Sequence, residues 1–142
     1  MKKIILLAFA VMLATTPVLA GINIGSSIGF ATLNLGLNDN ITVILGANYI
    51  STAGVSMTGL LGKVNYNLAK AGEVQPNVGL YYTTNGAAAA TTTIGLTWGV
   101  LTPLTSSLSI GADFVLASST STAGVSTTSI LPAVAVAATY SL

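Results

Sequence analysis

The stretch Ile41-Thr42-Val43-Ile44-Leu45-Gly46-Ala47-Asn48-Tyr49 places a larger apolar side chain at every odd position. Ile41, Val43, Leu45, Ala47 and Tyr49 alternate with Thr42, Ile44, Gly46 and Asn48. Leu108, Ile110, Ala112, Phe114 and Leu116 alternate in the same way with Ser109, Gly111, Asp113, Val115 and Ala117. A period of two puts these sets on opposite faces of a β-strand. In a water-soluble sheet the second face meets solvent and carries Lys and Glu. Here it carries Asn, Ser, Thr, Gly and Ala, which suits a cramped, sealed interior. A greasy outside around a small polar inside is the pattern of a transmembrane β-barrel.

Composition agrees. Hydrophobic residues make up 52% of the 142-residue chain and charged residues 5%, and mean hydropathy is +0.83. A soluble domain needs about a quarter of its surface charged. Met1 to Ala20 reads as a secretory signal: Lys2 and Lys3 precede the apolar run 4–13, and Val18-Leu19-Ala20 supplies a small-residue cleavage site before Gly21. Residues 21–142 then form one barrel domain whose Lys63 and Lys70 stand against Asp39, Glu73 and Asp113, a net charge of −1. Such a chain cannot neutralise a run of phosphates, so nucleic-acid binding is not expected. With no Cys there is no disulfide framework, and lipid is the simplest remaining support.

No residue between Glu73 and Asp113 is charged, which also invites spanning helices. Gly and Thr interrupt that region, as in Ile94-Gly95-Leu96-Thr97-Trp98-Gly99-Val100, and turn-like clusters cut it into lengths that fit strands of about 9–11 residues. Lipid admits only helices or closed sheets, so a sheet here must close. Seven strands are legible: 27–37, 41–51, 55–69, 74–83, 92–101, 108–117 and a last one running to Leu142. Residues 21–27, with Ile22 and Ile24, supply an eighth, the smallest common number for bacterial barrels. The apolar parity flips between Ile28/Phe30 and Leu33/Leu35, so a turn or a bulge lies there. The repeat Ser51-Thr52-Ala53-Gly54-Val55-Ser56, identical to Ser121-Thr122-Ala123-Gly124-Val125-Ser126, follows a turn and a strand each time and reads as a repeated hairpin.

The hairpin Leu35-Gly36-Leu37-Asn38-Asp39-Asn40-Ile41-Thr42-Val43 and the closing Ala138-Thr139-Tyr140-Ser141-Leu142 resemble the small bacterial outer-membrane β-barrel proteins of the opacity-protein type. The last segment looks like their outer-membrane sorting signal, with Leu142 where that signal ends in Phe. The resemblance implies residence in a bacterial outer membrane, with its lipid and its assembly machinery as partners. It implies a structural, adhesive or unassigned role and no substrate.

Catalysis is not expected. The chain lacks His and Cys, and its three carboxylates are scattered, which removes His-based triads, thiol nucleophiles, the commonest zinc ligands and any paired acid and base. No cofactor, metal or small-molecule substrate is inferred. The spacing of Gly95 and Gly99 reads as tight packing on one strand face. Two other roles are open at this point: a secreted β-sandwich or fibre-forming adhesin subunit, and a narrow passive pore through gaps left by Gly95, Gly99, Ala133, Ala135 and Ala137.

Three geometric expectations follow. Tyr66 and Tyr140 should ring the barrel near the turns at 38–40, 70–73 and 105–107, with Tyr49, Tyr82 and Phe114 toward the opposite rim, as aromatic girdles do. Those tight turns should face the periplasm, and longer loops at 52–54, 84–90 and 118–124 the outside. Lys63 and Asp113 both point away from the apolar face near mid-depth and are expected to pair across the lumen.

Overall fold

The computed structural model of the chain describes residues 21–52, 55–86 and 90–142. The proposed signal at 1–20 lies outside them. Eight strands follow in chain order: β1 (Gly21–Ser27), β2 (Phe30–Gly36), β3 (Ile41–Thr52), β4 (Val55–Asn67), β5 (Gln75–Asn85), β6 (Thr91–Pro103), β7 (Leu108–Thr122) and β8 (Val125–Ser141). Each pairs antiparallel with its sequence neighbours, and β1 pairs with β8 to close the barrel. Closure sets aside the sandwich alternative, which needs two open sheets. No described helix is long and apolar enough to cross a membrane.

The parity flip near residue 28 is a turn rather than a bulge. Ser27 pairs with Phe30, and Ile28 and Gly29 between them have φ of 50° and 78°. Two successive positive φ values make the primed turn whose twist matches a hairpin. Ala123 and Gly124 repeat it, with φ of 49° and 83°. The 51–56 repeat has one register in both copies: Ser51 faces Ser56 and Thr52 faces Val55, as Ser121 faces Ser126 and Thr122 faces Val125. The tip at 53–54 lies outside the described residues.

Gly21 and Leu142, the termini of the described residues, sit at the end of the barrel that carries the connections at 37–40, 68–74 and 104–107. Two of these turns share one local device. Asn38 Oδ1 accepts from the amides of Asn40 and Ile41 at 2.9 and 2.8 Å, and Thr105 Oγ1 accepts from those of Ser107 and Leu108 at 3.3 and 3.0 Å. A side chain that mimics a backbone turn in this way fixes the reversal.

The far end differs from expectation. Residues 118–122 are strand, not loop, and β5 runs to Asn85 while β6 begins at Thr91. Ser/Thr-rich sequence reads as loop, but here hydroxyls pair across strands: Thr91 with Thr122 at 2.8 Å and Thr93 with Thr120 at 2.9 Å. Cross-strand pairs of this kind hold polar residues in a sheet. The far-end connections at 28–29 and 123–124 are two-residue turns and 86–90 spans five, whereas those at 37–40, 68–74 and 104–107 span four to seven, so the longer connections lie at the end where the sequence reading expected the tight turns.

Strand lengths also differ. β1 and β2 have seven residues each, whereas β7 and β8 have 15 and 17. β1 covers β8 only from Ala138 to Ser141. Above that the outer edge of β8 has no strand beside it among the described residues, and its outward Val134 and Val136 are 65% and 76% exposed. One irregularity interrupts the longest pair: Val115 faces Ala133 but Ala117 faces Ile130. The bulge at Leu116 turns Ala117 outward, opposite Leu96, against the simple alternation read from sequence.

Candidate functional site

Inside the barrel the side chains sort into two layers. On β4 Leu61 lies one inward position farther from the chain ends than Lys63. On β7 Val115 lies one such position beyond Asp113, and on β5 Tyr81 lies two beyond Asn77. Ile44, Leu61, Tyr81 and Val115 are buried together, with Ile28 and Phe30 packed against them. Toward the chain ends the interior is polar: Ser27, Asn34, Lys63, Asn65, Asn77, Thr97 and Asp113 are all buried.

The structure brings the two expected charges together. Lys63 Nζ lies 2.8 Å from Asp113 Oδ1, with the residues 2% and 3% exposed. Their strands, β4 and β7, are separated by β5 and β6, so the contact crosses the lumen. Ser27 on β1 completes the layer: its hydroxyl donates to Asp113 Oδ2 at 2.7 Å and lies 3.4 Å from Lys63 Nζ. Charge-assisted bonds to both carboxylate oxygens are what a buried ion pair needs to offset desolvation. Ser27 escaped the sequence reading because it ends a strand whose existence the parity flip left open.

Inward glycines make room for this layer. A Cβ on Gly99 would sit 2.6 Å from Asp113 Oδ1 and 2.8 Å from Asn77 Oδ1, and one on Gly79 would meet Asn65 Oδ1, Thr97 Oγ1 and Lys63 Cε. Above Gly95 lies the ring of Tyr81, whose Cε1 would be 2.6 Å from an added Cβ. Side chains from neighbouring strands thus fill the space that Gly95 and Gly99 were expected to leave as a thin gap. Their absence of a side chain is a packing requirement, legible only once the partners across the barrel are known.

The five aromatics do not behave as one set. Tyr66 faces Ile41 and Tyr140 faces Leu108, both close to the end with the termini. Tyr49 lies toward the far end opposite Thr58, and its hydroxyl donates to Ser56 Oγ at 2.8 Å. Tyr82 faces Gly62 and Ile94, also toward the far end. Phe114 does not reach a rim. It faces Trp98, the two ring centroids 5.4 Å apart, in the middle of the outer wall. Aromatic pairing across adjacent strands accounts for that position.

For chemistry the layer offers one cation, one carboxylate and hydroxyl and amide groups, with no imidazole or thiol in the chain. Asp39 and Glu73 are exposed in turns at the end with the termini, and the described residues contain no group of three metal-ligating side chains. The arrangement can neutralise, fill and orient. Comparison with protein-family models, curated proteins and solved structures finds no match to this chain.

Proposed function

We propose that the protein is a non-catalytic β-barrel of a bacterial outer membrane with a structural or surface role. One observation carries the reading: the burial pattern is inside out. Leu60, Leu80, Ile94 and Leu96 stand about half exposed on the outer wall, whereas the two charges within the described strands, Lys63 and Asp113, are sealed inside. Water-soluble folds do the reverse, and a contiguous apolar wall of this kind needs a covering. Where the strands are paired on both sides, lipid covers this wall at no cost in backbone hydrogen bonds.

Under this reading the partners are outer-membrane lipid and the outer-membrane assembly machinery, the latter engaging the C-terminal β8 segment. The leader ending near Ala20 directs export. Tyr49, Tyr66, Tyr82 and Tyr140 sit at headgroup depth, and the Trp98–Phe114 pair lies between the two belts. The turns near the termini face the periplasm, as in the opacity-type barrels that the sequence resembles. No substrate, cofactor or nucleic acid enters the role. An eight-stranded barrel fills its interior with side chains, and the apolar layer around Leu61 and Tyr81 disfavours the passive-pore alternative.

The test is cellular fractionation followed by gel mobility with and without heating. The protein should appear in the outer-membrane fraction, and unheated samples should migrate differently from boiled ones, since closed barrels resist detergent. Recovery as a soluble protein with heat-independent mobility would reject the proposal.

A further inference from the structure

We infer that the half of the barrel nearest the chain termini is a hydrated vestibule, in which bound water reaches the Lys63–Asp113 pair from that side only. A cavity of about 120 Å³ lies there, bounded by Ser27, Thr42, Asn34, Asn65, Asn77 and Asp113 among others. Among the described residues Asn34 Oδ1, Asn65 Oδ1 and Asn77 Oδ1 are buried without a protein hydrogen-bond partner, and each residue is more than nine-tenths buried. Buried acceptors left without a donor are costly. Three of them around one polar cavity call for a guest that brings donors.

Water fits that demand better than an ion does. Lys63 and Asp113 already neutralise each other, so a metal cation would add an uncompensated charge to the interior. The volume holds about four waters at ~30 Å³ each, and amide and hydroxyl groups supply the two to four partners each water needs. On the other side the arrangement reverses. Ile44, Leu61, Tyr81 and Val115, with Ile28 and Phe30, form an apolar layer that offers water little to bond to. Hydration therefore stops at the ion pair, and exchange of water or protons with the pair runs through the end that carries the termini.

Silver ion, a probe close to water in size, tests this on the whole barrel folded in detergent. The native chain has no cysteine, so the background is clean. Ala137→Cys and Thr42→Cys place thiols on the cavity wall, and Val115→Cys places one in the apolar layer. Silver replaces the thiol proton to form a sulfur–silver bond, which blocks maleimide added after unfolding. Because the thiolate reacts and needs solvent access, the two cavity variants should be blocked about 100-fold faster or more than Val115→Cys. Equal slowness at all three positions would mean a dry or closed cavity and overturn the inference. Equal speed at all three would remove the apolar seal and overturn it too. Two cavity reporters are used so that misfolding of one, read by its heat-dependent mobility, leaves the other. The measurement is made in detergent, so failure of the membrane assignment would not mimic either outcome.

Discussion

Lys63 Nζ and Asp113 Oδ1 meet at 2.8 Å across the inside of the barrel, 50 residues apart in the chain. Each is the other's compensation. Lys63→Met or Asp113→Asn alone should cost about 3–5 kcal/mol, because the remaining charge stays buried, while the double variant should lie close to wild type. A double-mutant cycle on unfolding in detergent measures the coupling. Additive single effects would show that the two charges do not meet.

Two glycines on opposite faces should respond to alanine with opposite signs. At Gly99 an added methyl lands on the Asp113 carboxylate and the Asn77 amide, an overpacking that should destabilise the barrel by about 1–3 kcal/mol. Gly62 faces outward, and a Cβ there meets nothing within 4 Å. Removing a flexible glycine from a strand should then stabilise it by about 0.5–1 kcal/mol. Unfolding midpoints of the two variants moving in the same direction would contradict the assigned faces.

Ala123 holds φ of 49° at the tip of the β7–β8 hairpin, ahead of Gly124 at 83°. Alanine pays a steric penalty there that asparagine largely avoids, and Asn-Gly is the preferred pair for this turn. Ala123→Asn should raise stability by about 0.5–1 kcal/mol. The turn is exposed, so packing does not confound the reading. A fall in the unfolding midpoint would mean that the hairpin closes differently.

The uncovered edge of β8 should be visible in amide exchange. Residues 126–130 and 133–137 face β7 on one side and, among the described residues, no strand on the other. In an antiparallel strand successive amides point to opposite sides, so within 126–130 and again within 133–137, on either side of the register shift at Leu131 and Pro132, every second amide should exchange fast while its neighbours stay protected. β5 and β6, paired on both sides, should show continuous protection over their common span. Uniform protection along β8 would place an unrecognised partner at that edge.

The sequence by itself determined which residues face out and which face in. Alternation needs no partner to be read, because strand geometry sends successive side chains to opposite faces. That is why Leu60, Val64 and Tyr66 were separable from Lys63 and Asn65, and why Lys63 and Asp113 were legible as an interior pair. The turns at Asn38 and Thr105 were equally local, each closed by one side chain bonding its own backbone. Tertiary structure alone decided how strands of unlike length meet. The Leu116 bulge turned Ala117 outward, and cross-strand hydroxyl pairs drew residues 118–122 from loop into sheet. Ring pairing with Trp98 held Phe114 at mid-wall. Ser27 reached Asp113 only because β1 closes on β8, and Gly79, Gly95 and Gly99 lack side chains because groups from neighbouring strands occupy that space. Those features depend on contacts between residues far apart in the chain, and no local pattern encodes such a contact.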